Sequence, residues 1–300
     1  MYRDRYDFEY LNTLKGQQGK ITFVAFCADG QTLISGSWAK IKLWNLKTRQ
    51  EIRTLINSSK ALFISSICLS HDEHTLACQN GRGIIKVWNL KTGQQTHTFR
   101  AHASPISALA ISSNGQTLAS SSYDGTIKIW DLKKRREREI MLFVASPSDD
   151  SLMFSLDGQT LAYISSGFIK VVHWQTNEEI YSLDDENLDS ACLAISADGQ
   201  ILVSGGWDDI IVWNLSTGEI IHTLEGHLYC VSSIVISPDN QILASGSYDK
   251  TIKIWDLVNG LEICNFTGHT DRVTSIAISA TGQKIASGSL DGTIKVWKVK

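Results

Sequence analysis

The chain has 300 residues, 43% apolar and 20% charged, with a net charge of −3 and a pI near 6.2. That composition supplies a packed core, offers no basic footprint for nucleic acid, and contains no apolar run near the ~18 residues of a membrane span. The opening MYRDRYDFEY puts charges where a secretion signal needs an apolar stretch. The six cysteines form no C-x-x-C pair, so a cytoplasmic protein is expected. Cys27, Cys68, Cys78, Cys192 and Cys264 lie in strand-like runs and are expected to be small buried hydrophobes.

In chain order, the first recognisable element is EYLNTLKGQ (9–17), which aligns with EIIHTLEGH (219–227) further on. It reads as a fourth strand detached from its copy. Next comes a repeat anchored on the Trp of an I-K-x-W phrase, at Trp44, Trp88 and Trp130. A double gap follows. Aligning HWQTNEEI (173–180) on the form D-L-x-T-G-x-x-I puts Trp174 at the Leu position and Val172 at the anchor. Trp213, Trp255 and Trp297 complete the series, with spacings of 44, 42, 42, 41, 42 and 42. There are thus seven copies, the fourth without its Trp. Each copy predicts four short strands. In the sixth these are VSSIVIS (231–237), ILASGS (242–247), TIKIWDL (251–257) and LEICNFT (261–267), separated by Gly-, Asp- and Asn-bearing turns.

A period of about 42 with Gly-His and Trp-Asp marks resembles the WD40 repeat, over essentially the whole chain. The resemblance implies an all-β, seven-bladed WD40 β-propeller occupying residues 1–300 as a single domain. After Trp297 only three residues remain, so residues 8–15 are expected to supply the outer strand of the last blade and close the ring. The regularity of the repeats (GQTLAS, DGTIKIWDL) also resembles bacterial, particularly cyanobacterial, WD40 proteins.

In WD40 proteins a His, a Ser, an Asp and the Trp of one blade form a buried hydrogen-bonded set. The matching sets are His102, Ser120, Asp124 and Trp130; His227, Ser245, Asp249 and Trp255; and His269, Ser287, Asp291 and Trp297. A hydrolase reading of these Ser–His–Asp lists is rejected, because they recur once per blade and no G-x-S-x-G elbow is present. The other blades depart from the pattern: Gln17 and a shortened Trp38-Ala39 turn in the first, Lys60 and Arg82 in the second, Ala145 and Val172 in the fourth, Glu186 in the fifth. Asp249→Ala is therefore expected to cost more stability than any change at Ala39.

The family's docking face is built from the fourth-to-first and second-to-third strand loops. Mapped by register, it would carry Trp38, Phe63, Tyr123, Trp207 and Tyr248, types that anchor protein interfaces. Small polar residues (Thr22, Ser65, Ser107, Ser232, Thr274) would line a channel mouth. Charge is lopsided, with Lys20, Lys60, Arg82 and Arg272 opposite Asp149, Asp150, Asp184, Asp185, Glu186 and Asp189, an arrangement that would orient a partner. The H-x-x-H of SHDEHTLA (70–77) has no third ligand, so no metal is expected. The mixed-sign run KKRRERE (133–139) reads as a solvated turn.

The function these residues imply is a non-catalytic scaffold that binds a protein or peptide on that face, with no cofactor, no nucleic acid, no membrane, and a monomer by itself. The competing readings are a sensor domain of a larger bacterial signalling protein, and a small-molecule binder or enzyme using the central channel. The last lacks any catalytic constellation beyond the per-blade sets.

Overall fold

A computed structural model describes residues 7–15, 19–38, 40–57, 66–71, 74–142, 151–185 and 192–299. All described regular structure is strand. The N-terminal strand is β1 (Phe8–Leu14). Blade 1 is β2 (Ile21–Phe26), β3 (Thr32–Ser37), β4 (Lys40–Asn45) and β5 (Gln50–Asn57); blade 2 is β6 (Ile67–Leu69), β7 (Thr75–Gln79), β8 (Ile84–Asn89) and β9 (Gln94–Arg100). Blade 3 is β10 (Ile106–Ile111), β11 (Thr117–Ser122), β12 (Thr126–Asp131) and β13 (Arg136–Leu142); blade 4 is β14 (Leu152–Phe154), β15 (Thr160–Ser165), β16 (Phe168–His173) and β17 (Glu178–Asp184). Blade 5 is β18 (Cys192–Ile195), β19 (Ile201–Gly205), β20 (Asp209–Asn214) and β21 (Ile220–Glu225); blade 6 is β22 (Val231–Ile236), β23 (Ile242–Ser247), β24 (Ile252–Asp256) and β25 (Leu261–Phe266). Blade 7 is β26 (Val273–Ile278), β27 (Lys284–Ser289) and β28 (Ile294–Val299), and its outer strand is β1, paired antiparallel with β28 from Phe8↔Val299 to Leu14↔Ile294. The fold class is the expected seven-bladed β-propeller, with the N-terminal strand completing the last blade.

The chain divides into two compact units. Unit 1 comprises Met1–Ala61, Val203–Trp213 and Ile220–Lys300; unit 2 comprises Leu62–Leu202 and Asn214–Glu219. In each, the apolar cores lie between successive blades. In unit 1, Leu14, Ile21, Val24, Ala286 and Ile294 join blades 7 and 1, and Ala244, Ile252, Val273, Ile276 and Ile285 join blades 6 and 7. In unit 2, Ala77, Ile85, Ile106 and Leu118 join blades 2 and 3, and Ala108, Ile127, Leu152 and Leu161 join blades 3 and 4. Two glycines are dictated by this packing. A Cβ on Gly246 would lie 2.6 Å from Val273 Cγ1, and one on Gly288 would lie 2.5 Å from Ile21 Cγ2.

Trp174 falls just after β16, buried, with its indole N–H donated to the Gly158 carbonyl at 2.8 Å. It occupies the place that Leu132 and Leu257 hold in their blades, and Val172 is the buried anchor. The cysteines depart from expectation. Of the five strand-like ones only Cys78 is buried, while Cys27, Cys68, Cys192 and Cys264 are partly exposed; Cys230, outside the strands, is buried. Cys68 and Cys264 lie in edge strands, which have a neighbouring strand on one side only, Cys192 opens the edge strand β18, and Cys27 lies just past the end of β2.

One recurring feature has no counterpart in the sequence reading. The Lys of I-K-x-W pairs with a Glu nine residues on, across the third and fourth strands: Lys42–Glu51, Lys128–Glu137, Lys170–Glu179 and Lys253–Glu262. In three of these blades its ammonium also lies 5.3–5.9 Å from the anchor Trp ring centroid, a cation–π contact. The alternation of β-strands puts Lys and Trp, two residues apart, on one face.

Candidate functional site

The Ser–His–Asp sets have a common geometry. Asp124, Asp249 and Asp291 each follow the second strand of their blade. One carboxylate oxygen takes the ring Nδ1 of His102, His227 or His269 at 2.8–3.0 Å. It also accepts the backbone N–H just after that His, from Ala103, Leu228 or Thr270. The other oxygen accepts the hydroxyl of Thr126, Thr251 or Thr293 at 2.6 Å. Each His Nε2 meets Ser120, Ser245 or Ser287 at 2.7 Å. Trp130 and Trp255 donate their indole N–H to the same serine oxygens at 3.0 and 2.8 Å. Trp297 is buried and stacks on Phe266, with centroids 5.1 Å apart and planes 8° apart. All three serines are fully buried, so no substrate carbonyl reaches their oxygens. Blades 1 and 5 keep part of the set: Trp44 donates to Ser35 and Trp213 to Ser204. Gln17, Ala39, Lys60, Ala145 and Glu186 lie outside the described residues.

These sets predict a pH response. Burial holds the His102 and His269 imidazoles below the ordinary histidine value, despite the opposing pull of their aspartates. Burial raises the aspartates, but the hydrogen bonds from Thr, His and the backbone outweigh it, and Asp291 is lowered to about 2. For both residue types the unfolded chain binds more protons, so stability falls as pH falls. Melting temperature should decline as pH drops below about 6.5, and again below about 4. A melting temperature unchanged between neutral pH and pH 5 would contradict the first step.

The loops carrying these sets also build a surface. The residue before each turn Asp donates its backbone N–H to the residue preceding the first strand: Tyr123 to Pro105, Tyr248 to Cys230, Leu290 to Arg272. In unit 1 such bonds run on from blade to blade. The Gly206 carbonyl, beside Trp207, accepts Val231 N–H at 3.0 Å, and its neighbour Cys230 accepts Tyr248 N–H at 2.9 Å. The Arg272 guanidinium lies 4.6 Å from the Tyr248 ring centroid. Thr274 donates to the Ile21 carbonyl at 2.7 Å, and Lys20, next to Ile21, lies 5.6 Å from the Trp38 ring centroid. Trp207, Tyr248, Arg272, Lys20 and Trp38 therefore follow one loop edge of unit 1. Trp207 is 55% exposed and Trp38 44%. In unit 2, Tyr123 (45% exposed) has the same local setting, and Arg82 is an exposed turn residue whose neighbour Gly83 accepts the His102 N–H. Phe63, Asp150 and Asp189 lie outside the described residues, as do Ser65 and Asp149.

The structure adds Leu228 and Tyr229, 78% and 57% exposed, between His227 and Cys230 on the same edge. The sequence signal was two apolar residues after the set's His, where the other complete sets have Ala-Ser and Thr-Asp.

One expectation is corrected. Asp185 is buried, not part of an acidic surface, because strand alternation at the end of β17 carries residues 183 and 185 inward and Asp184 outward. Thr22, Ser107, Ser232 and Thr274 are the extra residues of β-bulges in β2, β10, β22 and β26. Their hydroxyls are engaged within the fold: Ser232 with the Val273 and Gly246 carbonyls, Thr274 with those of Ile21 and Gly288, Thr22 with that of Gly36, and Ser107 with the Ser121 hydroxyl. They fasten strands and blades. Among the described residues no group of three or more His, Cys, Asp or Glu could hold a metal.

A comparison with curated proteins gives no match. The family profile described as WD domain, G-beta repeat, matches residues 8–45, 93–131, 178–214, 218–256 and 260–298. The unmatched stretches hold the first three strands of blades 2 and 4, where Cys78 and Tyr163 replace the set's Ser and Val172 replaces the Trp. With more than half its length matched, the chain belongs to the WD40 family, whose propellers generally serve as non-catalytic scaffolds for protein partners.

Proposed function

We propose that the chain is a non-catalytic interaction scaffold, and that a protein or peptide docks on the loop edge of unit 1 bearing Trp38, Trp207, Tyr229, Tyr248 and Arg272. The observation that carries this reading is the concentration of exposed aromatic rings along one backbone-linked edge. Exposed aromatics beside Arg are the usual anchors of protein interfaces, and a contiguous exposed apolar patch is atypical of an idle surface. The edge is also rigid, since each ring is carried next to a backbone hydrogen bond, which lowers the entropy lost on docking. Tyr123 and Arg82 extend the same chemistry on unit 2's loops.

The test is affinity capture from the source cells with the wild type and with a Trp38→Ala, Trp207→Ala, Tyr248→Ala variant shown to be folded by circular dichroism. A partner retained by the wild type should be lost or weakened at least tenfold by the variant. Equal retention would place docking elsewhere.

A further inference from the structure

A second site lies in unit 2. Between β9 and the β12–β13 turn is a cavity of about 250 Å³ lined by Thr96, His97, Phe99, Trp130, Leu132, Arg135 and Arg136, among others. A further cavity of about 340 Å³ shares Thr96, His97 and Leu132, so His97 is a wall of both. The volume of the first is just under the roughly 300–1,000 Å³ usual for drug-sized ligands, a size for a small metabolite.

Three observations show what it would hold. The His97 Nδ1 is engaged by the Thr96 hydroxyl at 2.8 Å and its Nε2 is buried. The ring also draws on the backbone of Leu132, itself a lining residue, so His97 is a fixed part of the wall. The two carboxylates at this cavity are already neutralised, Glu137 by Lys128 and Asp131 by Lys134 and its backbone N–H. Arg135 and Arg136 have no ion-pair partner among the described residues, so the cavity is left cationic. Arg135 also takes the left-handed φ of 55°, a turn position filled by Gly93, Gly218 and Gly260 in blades 2, 5 and 6 and shared by Arg49 in blade 1. A long side chain held there is strained relative to glycine. The remaining wall is apolar, with Phe99 and Trp130 4.7 Å apart between ring centroids.

We infer that this cavity binds a small organic anion, whose carboxylate or phosphate is held by Arg135 and Arg136, and whose apolar body lies against Phe99 and Trp130 with the His97 ring beside it. Guanidinium groups present paired N–H donors that match both anions. The KKRRERE run is then half of a binding site, not simply a solvated turn.

Benzoate and phenyl phosphate are the probes, with benzyl alcohol as the neutral control, in calorimetric titrations of the whole chain. The nitrogens of ¹⁵N-labelled histidine are followed by NMR, with His97 assigned by substitution. At least one anion should bind ten times or more tighter than benzyl alcohol and shift the His97 ring resonances; which one does distinguishes a carboxylate from a phosphate site. Arg135→Gln with Arg136→Gln, an exposed turn residue and the exposed first residue of β13, should keep the melting temperature and lose that tenfold preference. No binding of either anion at millimolar concentration, or equal anion binding by wild type and variant, would overturn the assignment.

Discussion

Asp249→Ala should lower stability by about 3 kcal/mol, a loss of the size seen when one partner of a buried, hydrogen-bonded pair is removed. The carboxylate is 5% exposed and the His227 side chain fully buried. The alanine would strand His227 Nδ1, the Leu228 N–H and the Thr251 hydroxyl and N–H, all now satisfied by one side chain. These hydrogen bonds hold Asp249 far below the ordinary carboxylate range against the opposing effect of burial, which shows that the folded state prefers the ion. At ~2–4 °C per kcal/mol for chains of this general size, the melting temperature should fall by roughly 6–12 °C. Asp124→Ala should cost less, because its carboxylate is 18% exposed and water can replace part of what is lost. A loss at Asp249 below about 1 kcal/mol would show that these sets do not staple the blades, and equal losses at the two positions would show that the exposure of Asp124 does not soften its loss.

Removing residues 1–15 should have the larger effect. The paired residues of β1 on β28 would separate, Leu14 would leave the core shared with Ile21 and Ile294, and the edge contacts of Phe8 on Phe266 and Tyr10 on Trp297 would vanish. A buried Leu alone accounts for about 2–5 kcal/mol on truncation. The bared edge of β28 would then template pairing with another chain. Size-exclusion chromatography should show self-association, and the melting temperature should drop by more than about 10 °C. A monomeric truncated chain that melts as the wild type does would mean that β1 contributes little to the last blade.

What the sequence revealed and what it hid follow from how each feature is encoded. The blades were legible because a four-stranded unit repeats its turn residues at a fixed period, so even blade 4, lacking its Trp, is placed by the spacing around Val172 and Trp174. The Lys–Glu pairs were present as K-x-W followed by E, but a pair across two strands is visible only once the strand register is known. Leu228 and Tyr229 escape the sequence because mapping the family's docking face by register leaves out the two residues after the His. The carbonyl partners of Thr22, Ser232 and Thr274 are hidden in the sequence because side-chain polarity is readable while its partner is not; the bulge that turns each hydroxyl toward a carbonyl is a property of backbone register. Asp185 was counted as surface charge for a related reason, since alternation at a strand end depends on where the strand stops.

The docking edge is most directly tested by placing a photo-crosslinking amino acid at Tyr248 and, in a separate variant, at Ile221, an exposed residue of an outer strand in the same unit, and irradiating the source cells. The account predicts a discrete crosslinked partner from position 248 and none of that mass from position 221. The same adduct from 221 and none from 248 would contradict it.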